Sequence, residues 1–547
     1  MARPPARART LALAALVAVT ALAAVFRLYR LDRVPPGLYV EEVLCAQRAL
    51  AWRLAPHKAW FEGTPLVGQG WVEIANLYLA GVSTVMWLFG DGFLAARMVS
   101  VLPSLLCVPL LYALARAVAG RREALVAAAL LAVSHWAVRT GRDGWDQVAM
   151  TTFQVAALAS LAHGLGRDRL AWSALAGALL GACLNTYVAS RLVLVQVGLW
   201  LAFELLVSGR RRRTLAHAGL CFAIALLCAA PYYVYLATRS PGGLAARAGQ
   251  LSLTAPGATH GVGLTLVENV AAHLAMFNLR GGTYARDNLP GWPMLDPVTG
   301  LLFLAGLVVA LGRDDRRRRV VITWYAVCVL GGVLSRSREG PPYVYRVANL
   351  APWACLVAAV GAVAAWDRLR PRVPGLAAPL GAAAVLSAAG AFNFWILFVL
   401  GPTCPDFGPA LGTVETQLGL WLAGHPADRP CYVSYDAVRT LDHYRSSLWY
   451  PETNGYNWYG PGESAAAIHL CAGVYRRSPE RALDPIALHG DIDLLARLPE
   501  SLPGPAVFVV PPALVETIGR FYLIDGREDL TDTLGRTLGT ILHVRPH

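Results

Sequence analysis

The chain has 547 residues, of which 56% are hydrophobic and 15% charged, against a charged share of roughly 25% in soluble domains. Apolar runs long enough to span a bilayer recur along most of it, which excludes a soluble globular protein and points to a polytopic membrane protein. The net charge of +13 would suit nucleic acid, but the arginines do not form one patch, so a nucleic-acid partner is excluded as well.

The first apolar run, "TLALAALVAVTALAAVF", follows Arg3, Arg7 and Arg9. No small-x-small cleavage site precedes "RLYRLDR", so the run reads as an uncleaved anchor. Further spans are predicted at about 93–118, 123–138, 148–164, 171–188, 191–207, 214–236, 298–312, 319–335, 347–365 and 375–400, about eleven with the first at 10–26. Short arginine clusters separate them: "GRRE" at Arg121, "GRDR" at Arg167, "GRRRR" ending at Arg213, "GRDDRRRR" ending at Arg319 and "DRLRPR" ending at Arg372. Every second loop is basic, as the positive-inside bias produces. The N-terminus is therefore expected in the cytoplasm. Ile74–Gly90 is apolar too. If it spanned, the later arginine clusters would all face out, so it is expected to lie in the interface or re-enter. Lys58 is the only lysine, which reads as codon bias.

This topology puts the less basic segments on the outer side. They are the first outer loop (27–92), "RTGRDGWDQ" (139–147), a large outer loop (237–297), "SRSREGPPYVYR" (335–346) and everything after Gly401. The division is a membrane domain, 1–400, and an extracytoplasmic domain, 401–547. "CYVSYD" and "AVFVVPP" read as strands and the stretch after Pro512 as a helix, so the second domain is expected to be small and α/β. "YPETNGYNWYGPGE" reads as a long loop. Cys404, Cys431 and Cys471 fall in this domain and Cys45 in the first outer loop, where an oxidising compartment permits a disulfide without fixing a pairing. No cysteine pair has metal-ligand spacing, "IHLC" at His469 and Cys471 is too weak a signal, and no metal or other cofactor is expected.

Ionisable residues are sparse inside the spans, Glu204 near the cytoplasmic end being the clearest, with Asn185 as the clearest neutral polar group. A coupled transporter would bury such groups near the midplane. Here they gather at the outer ends of several spans. Glu41 and Glu42 in "PPGLYVEEVLCAQRAL" are an ordinary wet pair on their own. At a low-dielectric boundary, however, two adjacent carboxylates can separate their pKa values so that one serves as a base. Arg142, Asp143 and Asp146 share one outer turn, a juxtamembrane ion pair or part of a site. Arg338, Glu339 and Arg346 share another, stiffened by Pro341 and Pro342. "NTYVASR" turns Tyr187 and Arg191 outward. Arginine forks suit phosphate. Their bland alternative is interfacial anchoring. Together, a carboxylate base and several arginines on one membrane face suit transfer from a phosphate leaving group to a hydroxyl or amine.

These residues resemble a family. "RLYRLDRVPPGLYVEEVLCAQRA", "LFGDGFLAARMVSVL", "VRTGRDGWD", "GACLNTYVASRL", "RDNLPGWPMLDPVTG" and "REGPPYVYRVANLAP" are similar, in order and placement, to blocks of the GT-C fold glycosyltransferases. The likeness is to the dolichyl-phosphate-mannose protein mannosyltransferase and lipid A aminoarabinose transferase superfamily, in its bacterial branch, over roughly residues 20 to 400. It implies a polytopic α-helical GT-C membrane domain and a polyprenyl-phosphate-linked sugar as donor. The acceptor would be a protein, glycan or lipid, transfer would invert the anomeric carbon, and the site would sit at the outer face of a bacterial cytoplasmic membrane. Carried over residue by residue, Glu41 takes the place of the family's catalytic Asp and Glu42 that of its Glu. Asp143 or Asp146 would assist. Arg142, Arg191 and Arg346 would hold the donor phosphate. Glu for Asp moves the carboxylate out by a methylene. "EGTPL" lacks the lysine before paired prolines of the aminoarabinose branch, which argues against lipid A. A flippase of a lipid-linked precursor, or an inactive scaffold of the same fold, are the alternatives.

Overall fold

The computed structural model describes residues 6–65, 73–90, 92–207, 209–240, 242–254, 261–312, 316–336, 340–373, 377–404, 407–424, 431–434, 467–468, 470–471, 488–489, 502, 504–531, 535 and 537–547. The expected loop 450–463, His469, Arg338 and Glu339 lie outside the described residues.

The long apolar run near the N-terminus is helix α1 (Ala6–Leu28). A turned segment leads into α2 (Val40–Leu54), followed by a small antiparallel pair, β1 (Gly63–Pro65) and β2 (Glu73–Ala75). Helix α3 (Asn76–Phe89) has 14 residues, which at 1.5 Å per residue falls short of a ~30 Å hydrocarbon core. Next come α4 (Phe93–Val118), α5 (Arg121–Val133), α6 (His135–Thr140), α7 (Asp146–Arg167), α8 (Leu170–Leu184), α9 (Arg191–Val207) and α10 (Arg211–Arg239). The segment after α10, expected on the outer side, carries α11 (Ala246–Leu251) and α12 (Val262–Ala275). The bundle closes with α13 (Pro297–Gly312), α14 (Arg316–Val333), α15 (Leu350–Leu369) and α16 (Ala377–Trp395).

A helix lies on each of the eleven expected spans. Among the described residues, seven helices are long and apolar enough to cross a membrane, and five more are apolar but shorter, α3, α8, α12, α13 and the apolar part of α14. Two features differ from expectation. The span 123–138 is not one helix. It breaks at Ser134, whose hydroxyl caps α6 by accepting from Ala137 N, and His135 N turns aside to donate to Asn393 Oδ1 at 2.8 Å. The large outer loop contains α12, whose buried face is Thr265, Asn269 and His273 while Val262, Leu264, Val267 and Leu274 are exposed. That polarity is inverted relative to a water-soluble helix, and at 14 residues α12 is too short to read as a span.

The bundle core is close-packed where small residues let backbones approach. A Cβ on Gly306 of α13 would come within 1.9 Å of the Val357 carbonyl oxygen of α15, and one on Gly361 within 2.1 Å of the Leu302 oxygen. Trp324 lies between Trp200 and Trp353, with centroids at 5.1 and 5.2 Å. A second apolar cluster sits at one end of the bundle. It joins the apolar residues of 38–50, α3, the start of α4 and Trp145 to Ile396, Leu400, Cys404, Phe407, Ala410 and Leu411. Cys45, Cys404 and Cys471 are all buried in it as free thiols.

Beyond α17 (Phe407–Ala410) and α18 (Thr413–Gly424) lies a mixed five-stranded sheet. Its strands are β3 (Cys431–Ser434), β4 (Leu488–His489), β5 (Ala506–Val510), β6 (Leu523–Thr531) and β7 (Thr537–Arg545), ordered β4-β3-β5-β7-β6. Strand β5 is buried throughout because both its faces are covered. Val507 and Val509 meet Val414 and Leu418 of α18, while Ala506, Phe508 and Val510 meet the side of α19 (Val515–Phe521) that presents Ile518. Strand and helix here fall where "CYVSYD", "AVFVVPP" and the stretch after Pro512 were expected to put them.

Candidate active site

Glu41 and Glu42 occupy the first turn of α2. A carboxylate there is favoured by the free N–H groups and positive end of the helix. The two face different surroundings. Glu42 is 1% exposed. Its Oε2 accepts from Tyr39 N at 2.6 Å, closing the helix start, and its Oε1 accepts from Gly144 N at 2.6 Å in the turn before α7. Burial, and then the charge of Asp143, push its carboxyl up to about 7. Glu41 is half-buried and stands close enough to Asp146 for the two charges to act on each other.

Arg142 is 0% exposed. Its Nε donates to Val34 O at 2.9 Å, its Nη1 to Phe26 O and Arg27 O at 3.0 and 2.9 Å, and its Nη2 to Tyr29 O at 2.9 Å and again to Val34 O. Arg97, one arginine inside the apolar run of α4, continues the pattern. It donates to Leu31 O, and to Pro35 O and Gly37 O at 2.8 and 2.7 Å. The two guanidinium groups therefore satisfy the carbonyls of the turn that delivers α2. This corrects the expected role of Arg142. With every N–H committed to main-chain carbonyls, it positions the Glu41 helix and has none left for a phosphate. Burial lowers its pKa to about 9.

Asp143 is 1% exposed and 3.7 Å from Arg139 Nε. Burial raises its pKa, against the pull of Arg139 and Arg97. Among the described residues, its Oδ1 finds no hydrogen-bond donor. Arg139 donates in turn to Arg286 O at 3.0 Å.

Arg286 is the residue the sequence reading missed. Its Nη1 donates to the Tyr39 hydroxyl at 2.9 Å, and its Nε and Nη2 to the Asp287 carboxylate at 2.5 and 3.0 Å. Four rings surround it, Tyr345, Tyr284, Trp145 and Tyr39, at 4.2, 4.6, 4.8 and 4.9 Å. Cation–π contacts at such distances are individually worth ~0.5–2 kcal/mol. Their consequence here is geometric: one guanidinium gathers the start of α2, the turn before α7, the 281–296 segment and the segment before α15. The available signal was an Arg-Asp pair in an aromatic-rich outer loop.

Arg346 is 3% exposed. It donates from Nε to the Tyr345 hydroxyl at 2.8 Å and from Nη1 to Arg336 O at 2.9 Å. Arg191, partly exposed at the start of α9, donates to Leu244 O at 2.7 Å and lies over the Tyr233 ring. Tyr187 sits among the charges of Arg346, Asp146 and Arg247, and Tyr232 among those of Glu73, Arg191 and Asp146. Asp146 thus feels the charge of Glu41 from the start of α2 and shares its field at Tyr187 and Tyr232 with Arg346 before α15, Arg247 of α11 and Arg191 of α9.

Residues 77–235 match the family model of the dolichyl-phosphate-mannose-protein mannosyltransferases. No curated protein sequence matches the chain. The structure of ArnT from Cupriavidus metallidurans bound to undecaprenyl phosphate superposes with a TM-score of 0.54 at 14% identity, covering 99% of this chain and 98% of that one. The archaeal oligosaccharyltransferase AglB from Archaeoglobus fulgidus, in complex with an inhibitory peptide and a dolichol-phosphate, gives 0.55 at 13% identity over 89% of this chain. This chain spans 65% of that AglB chain. The fold is GT-C.

In this GT-C chain the family-matched stretch begins in α3 and ends in α10, so it includes Arg97, Arg142, Asp143 and Asp146 and leaves out Glu41, Arg286 and Arg346. The elements outside it are held to it through Glu42, Arg142 and Arg286. Among the described residues no group of three or more His, Cys, Asp or Glu side chains converges as a metal set.

Proposed function

We propose that this protein is an integral-membrane glycosyltransferase that moves a monosaccharide from a polyprenyl-phosphate carrier to an acceptor at the outer face of a bacterial cytoplasmic membrane. In this reading Glu41 takes the proton of the acceptor hydroxyl or amine. The acceptor atom bonds to the anomeric carbon as the bond from that carbon to the phosphate oxygen breaks, with inversion. Arg346 and Arg191 hold the departing phosphate, and Asp146 orients the acceptor side. The acceptor is a protein, glycan or lipid, and the C-terminal domain is extracytoplasmic.

The observation that carries the reading is the convergence of Glu41, Asp146, Arg191 and Arg346 at the ends of separate helices in a GT-C fold. The likeness to ArnT, whose structure is bound to undecaprenyl phosphate, supports the choice of carrier. The test is sugar transfer in washed membranes with labelled polyprenyl-phosphate sugars. Glu41→Gln is expected to lower transfer by at least ~10²-fold, the scale of a lost general base, with donor binding retained. Full activity of Glu41→Gln, or no transfer from any donor by the wild type, would overturn the proposal.

A further inference from the structure

Helix α12 is tied to the segment bearing Arg346 by two side chains one turn apart. Asn269 Nδ2 donates to Val333 O at 2.9 Å and Ser335 O at 2.7 Å, satisfying carbonyls left open where α14 ends. His273 holds the other side. Its Nδ1 is 2.7 Å from Asn269 O, an acceptor, and its Nε2 is 3.2 Å from Tyr343 N, a donor. An acceptor on one side and a donor on the other fix the tautomer: the proton is on Nδ1 and the Nε2 lone pair is used. The ring lies against Gly332, where a Cβ would come within 2.0 Å of Nε2, so it has no room to turn. Both residues are 0% exposed.

Three residues beyond Tyr343 is Arg346, and between them Tyr345 caps the Arg286 guanidinium. We propose that Asn269 and His273 are positioning residues for Arg346 and Tyr345, and that His273 does this only as the neutral Nδ1–H tautomer, so that acid releases the segment. A second proton would sit on Nε2, facing the Tyr343 N–H donor to donor. The charge facing the ring is Arg346 and the neighbouring titratable group is Tyr343, whose ring centroid is 5.8 Å away; neither is an anion that would welcome an imidazolium. Burial and Arg346 both lower the His273 pKa. The sign follows. The folded state holds the neutral ring, so the contact is complete above the ordinary histidine value of ~6.5 and is lost as pH falls through the lowered one.

This inference rests on the proposed function for its meaning, and its test does not depend on transfer. Amide hydrogen exchange, corrected for intrinsic rates, is followed over residues 340–346 of the full chain in nanodiscs between pH ~5 and ~8. The comparison includes His273→Gln, whose side-chain oxygen accepts from Tyr343 N–H and does not titrate, and His273→Ala. The wild type is expected to lose about tenfold in protection at the acid end, the size of one lost hydrogen bond. His273→Gln is expected to keep protection throughout, and His273→Ala to lack it throughout. Equal profiles in wild type and His273→Gln, or full protection in His273→Ala, would overturn it. A wild type whose protection is flat with pH overturns it even if neither variant folds. Undecaprenyl phosphate binding is read in parallel and should follow protection. If protection behaves as expected and no sugar is transferred, the enzyme assignment fails while the positioning role stands.

Discussion

Glu41 and Glu42 are neighbours in sequence and face different surroundings. Glu42 spans two backbone donors, Tyr39 N and Gly144 N, and so fixes where Glu41 points. Glu42 bonds back to the helix start as the glutamate of a capping box does, but the N-cap is Tyr39 and not Ser or Thr, so the sequence pattern did not announce its structural role. The sequence reading weighed both as site carboxylates because composition does not reveal which of two adjacent side chains turns inward. The raised Glu42 pKa has a stability consequence. Its folded value lies above the unfolded one, so its contribution is full below pH ~4.5 and is lost as pH rises through about 7. Glu42→Gln removes that titration and weakens one of two buried acceptors, at ~1–3 kcal/mol. Thermal unfolding in detergent should show the variant below the wild type at pH 5, with the gap narrowing by pH 8. A gap that widened towards pH 8 would contradict the assignment.

At the scale of elements, the helices were legible because apolar runs of this length have few other uses. What was not legible was how they are broken and tied. The break at Ser134 depends on Asn393, 258 residues away, and α12 hides its polar face against α14 instead of showing it to water. Close helix packing can be probed directly. Gly306→Ala places a Cβ 1.9 Å from a main-chain oxygen that cannot rotate away, at a cost of ~1–3 kcal/mol. Gly381→Ala in α16, with nothing within 4 Å of its Cβ, should be neutral or gain up to ~1 kcal/mol of helix propensity. Equal melting temperatures for the two variants would show that α13 and α15 do not pack as closely as described.

At the scale of the molecule, the arginine distribution gave the expected sidedness of the loops, and the blocks of family likeness gave Glu41 and Arg346 as candidates. Arg97 and Arg142 were harder to read because their partners are carbonyl oxygens, and Arg286 because three of the four rings that surround it come from distant stretches of the chain. A carbonyl has no residue signature. The unit beyond residue 400 is not independent of the site. Leu38 N donates to Thr416 Oγ1 at 3.1 Å, and a Cβ on Gly37 would meet Leu411 O at 2.2 Å. A chain ending at Leu400 would uncover Leu38, Cys45 and Leu411's partners in the second apolar cluster. It should lose protease resistance over 35–50, and Thr416→Val should lose part of it, leaving one N–H unsatisfied at ~1–3 kcal/mol. Unchanged cleavage in the truncated chain would show that the two parts are separable.

The turn that delivers the Glu41 helix is gripped by its main chain. Arg97 and Arg142 reach the carbonyls of residues 26, 27, 29, 31, 34, 35 and 37, while the side chains of Arg30, Asp32 and Arg33 stay outside. A grip on the main chain places no demand of its own on the exposed side chains between the gripped carbonyls. Mutational drift at the exposed positions 32 and 33 costs the geometry of the turn little, whereas Arg30, at φ 49°, holds a left-handed conformation that β-branched residues and proline resist. The same freedom is denied to the two arginines, since no other side chain offers five donors in a plane.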